Sequence, residues 1–187
     1  MATRLHLLGA SGSGTTTLGR ALARRLGCPH LDTDDYFWLP TNPPFQQQRS
    51  RAERQALLQA DLLPHDAWVL SGSLCGWGDM FIPWFDLVVF LWLPPEIRLA
   101  RLKERERRRY GDEAIAPGGP LHEGHTAFMA WAASYDDGGL EVRSRRLHEQ
   151  WLSALRCPVL RLLGARRVEE HLEQITQHLS QSSAQAL

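Results

Sequence analysis

Three clusters in this sequence have the residue types and spacing to do chemistry. The first is Gly9-Ala10-Ser11-Gly12-Ser13-Gly14-Thr15-Thr16. Its spacing is that of a phosphate-binding loop, G-x-x-x-x-G-[K]-[ST], with Thr15 in the place of the lysine. Small residues let consecutive backbone N–H groups converge on phosphate oxygens, and a helix beginning at the loop aims its positive end at the same point. The hydroxyl of Thr16, or of Thr17 one place on, is then positioned to hold a magnesium ion. Two other readings compete. One is a glycine-rich turn that only joins a strand to a helix. The other is a dinucleotide-binding loop, because Asp32 lies about 20 residues downstream, where a ribose-binding acid is expected. That reading needs glycine at position 17, which is Thr17.

The second cluster is Asp32, Asp34 and Asp35, followed by Tyr36, Phe37 and Trp38. Phosphoryl transfer needs an oriented acceptor oxygen and a metal, and two carboxylates one residue apart can divide those tasks. Asp34 is the candidate base or acceptor anchor, and Asp32 the candidate outer ligand of the metal. The alternative is an acidic loop that caps the next element, with the aromatic residues in the core. The third cluster is Arg98, Arg101, Arg105, Arg108 and Arg109, on a charged helix running into a Gly/Pro-rich stretch. Exposed helical arginines commonly pair with neighbours such as Glu104 and Glu106. Arg105 and Arg109, nearest that stretch, are the candidates to meet the charge of a migrating phosphoryl group.

The elements that must position these clusters follow from periodicity. Leu5 to Leu8 reads as a strand, and Leu18, Leu22 and Leu26 set a helical stripe that Gly27 and Pro29 stop. Further strands are expected at His30 to Leu31, Trp68 to Leu70, Leu87 to Leu93 and Cys157 to Leu163. Helices are expected at Arg51 to Leu63, Glu96 to Tyr110, His122 to Trp131, Glu141 to Leu155 and Val168 to Leu179, with the last eight residues frayed. Strands alternating with helices predict an α/β fold, a parallel five-stranded sheet with helices on both faces. In such folds ligands collect at the carboxyl ends of the strands, which is where the first two clusters fall.

Composition sets bounds. The 187 residues suit a single domain, 1–187, and 43% hydrophobic with 22% charged residues is globular composition. With 21 basic and 21 acidic side chains, nothing global attracts nucleic acid or an anionic membrane. The longest apolar run is too short to span a bilayer or to serve as a signal peptide, so a cytoplasmic location is expected. Cys28, Cys75 and Cys157 are scattered and imply neither disulfides nor a thiolate metal site. His122-Glu123-Gly124-His125 lacks the H-E-x-x-H spacing of a zinc helix. Lys103 is the only lysine, so a substitute for the missing loop lysine must be an arginine.

The loop and the order of elements resemble the P-loop kinases, in particular the nucleoside monophosphate and shikimate kinase branch. The resemblance implies a three-layer P-loop NTPase fold with a lid insertion at about 110–140, ATP and Mg2+ as nucleotide and metal, and a small-molecule acceptor. In that family the lysine replaced here by Thr15 reaches the terminal phosphates. Shikimate kinases carry a D-x-D pair where Asp32 and Asp34 stand, and related kinases approach the acceptor with a glycine-rich turn where Ser71, Gly72 and Ser73 stand. Adenylate kinases have a paired-aspartate turn followed by a helix with R-x-x-R-L, which is similar to Asp136-Asp137 and Arg143 through Arg146 to Leu147. The resemblance thus implies an ATP-dependent kinase acting on a nucleoside monophosphate or a small hydroxylated metabolite. The replaced lysine leaves open a nucleotide-binding protein without turnover, and the glycine-and-Asp32 pattern a dinucleotide-dependent oxidoreductase.

Overall fold

A computed structural model of the chain describes residues 3–185. Its five strands are β1 (Arg4–Gly9), β2 (His30–Asp32), β3 (Trp68–Ser71), β4 (Leu87–Trp92) and β5 (Val159–Leu163). They form one all-parallel sheet in the order β2-β3-β1-β4-β5. Side chains alternate across a pleated strand, and the sequence obeys that period of two. Leu5 and Leu7 of β1, Leu87, Val89 and Leu91 of β4 and Val69 of β3 face one side, where they meet Leu18 and Leu22 of α1 (Thr15–Leu26) and Leu172 and Ile175 of α8 (Val168–Gln185). Leu8, Leu70, Val88 and Phe90 face the other. There they meet Leu58 and Leu62 of α3 (Arg51–Leu62), Phe81 of a 3-10 turn (Asp79–Trp84), and Trp151 and Leu152 of α7 (Arg145–Ser153). The central strands are therefore buried on both faces, as a parallel sheet requires, while the edge strand β5 is partly exposed.

The remaining helices are α2 (Thr33–Phe37), α4 (Pro95–Tyr110), α5 (Asp112–Ile115) and α6 (His122–Ala133). Local chemistry sets their ends. Ser50 and Glu53 form a reciprocal capping box that starts α3, and Pro95 at the first position of α4 supplies the fixed φ of a helix start. Three elements depart from the sequence expectation. The acidic cluster is a short helix, α2, because Asp32 caps it by accepting from the Asp34 N–H. The helix expected from Glu141 starts only at Arg145, because Ser144 accepts from the Leu147 N–H and defines the start there. The final helix, α8, runs past the expected Leu179 to Gln185, into the stretch expected to fray; residues 186 and 187 of that stretch lie outside the described part. No helix of the described residues is long and apolar enough to cross a membrane.

Candidate active site

Parallel register brings the first two clusters to one edge of the sheet. Leu7 pairs with Ser71 and Ser71 with Asp32, so β1, β3 and β2 end side by side. The chain leaves β1 for β2 and later crosses back from β3 to β4 on the far side of β1, so the loop after β1 lies where the direction of winding reverses.

That loop is built to leave backbone donors unused. Ser13 N–H turns inward to the Ala10 carbonyl (3.1 Å), while Gly14 caps α1 in the left-handed conformation with no side-chain acceptor. The first turn of α1 carries no acidic residue either, so its N–H groups are left for an anion from outside. Gly12, at φ +81°, is the point where α4 presses on the loop: a Cβ there would lie 2.5 Å from the Arg98 carbonyl oxygen and 2.9 Å from Leu102 Cγ. Ser11 and Thr15 are half-buried, Ser13 is buried and Thr17 is exposed.

Thr16 projects from the first turn of α1 and donates to Asp32 Oδ2 at 2.6 Å. The same oxygen accepts from Ser71 Oγ (3.2 Å), and Ser71 Oγ also lies 2.9 Å from His30 Nε2. A hydroxyl and a buried carboxylate in contact beside the phosphate loop form a hard-oxygen donor set, which suits a magnesium ion that keeps several waters. The residues present thus fit the metal that the loop implies.

Asp34 lines a cavity of about 690 Å3 that begins at Ser11 of the loop. Its walls include Phe37 and Trp38 from the end of α2, Phe45 from the connection to α3, Arg105 and Arg109 from α4, Phe128 and Trp131 from α6, and Arg143 from the turn before α7. Burial pushes the Asp34 carboxyl above its ordinary value and the negative Asp32 adds to this, while the positive charges of Arg143 and Arg105 pull it back. The three arginines rest on the aromatic walls. Arg143 lies 5.6 Å from the Trp131 ring, Arg105 5.7 Å from Phe128 and Arg109 4.8 Å from Phe45. Arg105 also donates twice to Glu106.

The structure therefore brings Asp34, Arg105, Arg109 and Arg143 to one cavity and Thr16 and Asp32 to the loop beside it. It does not bring Arg146, which is exposed on α7 and does not line that cavity. Ser71 and Ser73 are fully or nearly fully buried behind the cavity: Ser71 holds Asp32, and Ser73 Oγ lies 3.1 Å from His148 Nε2 in a chain continued by the Tyr135 hydroxyl at Nδ1 (2.9 Å). Gly72 sits between them at the end of β3. Sequence reasoning missed the cavity's own walls, Phe45, Phe128 and Trp131. A signal did exist, because Ala127 to Ala133 is apolar on every side yet buries only Ala132. A helix that apolar has another surface to cover.

With this geometry the class is defined. The fold is that of the adenylate and shikimate kinase-like branch of P-loop proteins, and the chain belongs to the family described as AAA domain, which matches residues 6–116. Over 180 residues it is 49% identical to the uncharacterised protein YqaC of Bacillus subtilis (strain 168), covering 96% of this chain and 99% of that one. It is 27% identical over 124 residues to a cytidylate kinase of Archaeoglobus fulgidus, 55% of this chain and 62% of the other. Among solved structures, the shikimate kinase of Acinetobacter baumannii in complex with shikimate is similar over 97% of this chain and 95% of its own, with a TM-score of 0.56 at 18% identity.

Proposed function

We propose that the protein is an ATP-dependent phosphotransferase whose acceptor is a small, hydroxyl-bearing anion with an apolar face. The carrying observation is Asp34, a carboxylate at the loop end of an aromatic cavity, under the charge of Arg143 and Arg105. A phosphate acceptor such as a nucleoside monophosphate would set its negative oxygens against that carboxylate. A hydroxyl acceptor gives the carboxylate something to do.

The donor phosphates would lie on the loop between Ala10 and Thr17, against the first-turn amides of α1 that have no cap, and Thr16 and Asp32 are the residues that would hold a magnesium ion. When bound, that ion supplies positive charge to the donor phosphates. Asp34 orients the acceptor hydroxyl and takes its proton as the acceptor oxygen forms a bond to the γ-phosphorus. The bond from that phosphorus to the β–γ bridging oxygen breaks, and ADP leaves with the electron pair. Arg143 leaves a ring contact that holds it by only about 0.5–1 kcal/mol, and Arg105, which keeps its pair with Glu106 at the cavity wall, adds its charge there, so that both meet the acceptor's anion or the migrating charge. Positioning and fixed charge carry most of such a reaction.

The test is ADP release from ATP with magnesium over a panel of hydroxy acids, shikimate and gluconate among them, and nucleoside monophosphates. Acceptor-dependent ADP with a hydroxy acid, lost in Asp34→Asn, is the expected result. Turnover confined to nucleoside monophosphates overturns the acceptor assignment. Thr15 in the lysine's place favours a second reading, a protein that binds nucleotide without transfer. It predicts ATP binding with no acceptor-dependent product across the panel.

A further inference from the structure

The phosphate loop lacks its cation, and the chain has one lysine, Lys103, to draw on. We infer that Arg101 of α4 supplies the missing positive charge, reaching the donor phosphates from outside the loop where the lysine would have reached them from within. The inference rests on the phosphotransferase reading for its ligand, and on packing for its geometry.

Residues 98, 101, 102 and 105 are spaced i, i+3, i+4, i+7 and so share one face of α4. That face is applied to the loop. The Arg98 carbonyl and Leu102 Cγ crowd Gly12, and Arg101 Nη1 lies 3.8 Å from where a Cβ on Gly14 would stand. Gly14 immediately precedes Thr15 and caps the helix whose amides are free. A guanidinium at that spot faces the same anion as the amides.

The other arginines of this face are committed elsewhere. Arg98 is fully buried, bonded to Asp136 Oδ2 at 2.6 Å and to the Ala132 carbonyl. Arg105 is paired with Glu106 and stands in the acceptor cavity. Among the described residues Arg101 is exposed, with no ion pair or hydrogen bond. Lys103, two positions along, is turned about 200° from Arg101 around the helix and cannot share its view of the loop. The positive charge of Arg101 is also felt by His171 of α8, after burial and Arg166 among the causes lowering its pKa. A guanidinium binds phosphate in a bidentate fork, so an arginine here offers directional contact as well as charge.

Calorimetric titration of the full chain with ATP, ADP and adenosine tests this, using Arg101→Ala, Arg101→Lys and Lys103→Ala. A charged hydrogen bond of this class predicts that Arg101→Ala weakens ATP and ADP by roughly tenfold to a hundredfold. Adenosine, which has no phosphate, should bind as before. Arg101→Lys should fall between, Lys103→Ala should match the natural chain, and Thr15→Lys should restore ATP affinity to Arg101→Ala. Equal ATP affinity in Arg101→Ala and the natural chain overturns the inference, as does an equal loss for adenosine, which would mark a ring contact instead. Failure of the natural chain to bind any nucleotide would sink the phosphotransferase reading itself, a result distinguishable from either.

Discussion

Gly12→Ala asks whether the phosphate loop and the arginine helix are one mechanical unit. The new methyl is forced into a left-handed backbone, φ +81°, which costs about 1–2 kcal/mol for an L-residue. It also stands 2.5 Å from the Arg98 carbonyl oxygen and 2.9 Å from Leu102 Cγ, well inside the ~3.5–4.0 Å of a favourable contact. The oxygen belongs to the helix backbone and cannot rotate away, so α4 must retreat, at the ~1–3 kcal/mol typical of overpacking. The two effects together destabilise by about 2–5 kcal/mol, or ~4–20 °C in melting temperature for a chain of this size. Gly76→Ala is the control: its φ is +79° and nothing stands within 4 Å of the added carbon, so it should lose only the backbone part. Thermal melts of the two variants, with ATP binding measured on each, decide the matter. Gly12→Ala should melt below Gly76→Ala and lose nucleotide affinity, because the retreat carries Arg101 and Arg105 away from the loop. Equal melting temperatures would refute the reasoning, since the contact between loop and helix would then carry no weight.

Two further predictions concern protons. Asp34 must be ionised to accept one, and its carboxyl is raised above its ordinary value of 3.8 by burial and Asp32. Activity is therefore present above that raised pKa and is lost as pH falls through it, so the acid limb of kcat/KM should lie above the usual carboxylate range. Arg143→Met removes a charge that pulls the pKa down and should move the limb to still higher pH; a limb that moves lower would reject Asp34 as the base. Burial also holds His6 and His148 down to about 3 from 6.5, with the charges of Arg143 and His6 adding to the effect at His148. The unfolded chain then takes up protons that the folded chain refuses. Stability is full above about pH 6.5 and falls as pH drops from there toward 3, by about 1.4 kcal/mol per pH unit for each histidine. Urea midpoints measured from neutral to mildly acidic pH should show this slope, and His6→Asn should make it shallower by the share of one histidine, His30 and His171 being lowered as well. An unchanged slope in His6→Asn would assign the acid sensitivity to other groups.

What the sequence made legible is what local patterns encode. The central strands β3 and β4 announce themselves because their residues are apolar on both faces of a doubly covered sheet, and the phosphate loop because its glycines hold a backbone shape that owes little to the rest of the fold. The substrate side was only half legible. Asp34 could be placed by its distance from a strand end, but Phe45, Phe128 and Trp131 come from three separate segments, and no window of sequence contains them together. Ser71 and Ser73 were legible as a turn, though not as the buried hydroxyls that hold Asp32 and His148. The R-x-x-R pattern shows where spacing misleads: an i, i+3 spacing puts two arginines on one helical face only if both are in the helix. Ser144 starts α7 one residue after Arg143, so Arg143 turns into the cavity and Arg146 stays on the exposed surface.

The arginines of α4 show the opposite case, in which spacing is right and context decides the role. Arg98, Arg101 and Arg105 share one helical face, but each meets a different surface: a half-buried aspartate, the mouth of the phosphate loop and an aromatic cavity. The helix is thus a rigid bar joining three tasks, with Gly12 as its contact with the loop. A shift of α4 that opens the loop must also move the charge acting on Asp34. If the donor phosphates draw Arg101 toward Gly14, the same displacement carries Arg105 relative to Asp34, so donor binding and the protonation of the acceptor base become linked through one helix. Such linkage is reciprocal in its binding free energies. It implies that ATP shifts the apparent pKa of Asp34, and that a protonated Asp34 alters the affinity for ATP by the corresponding factor.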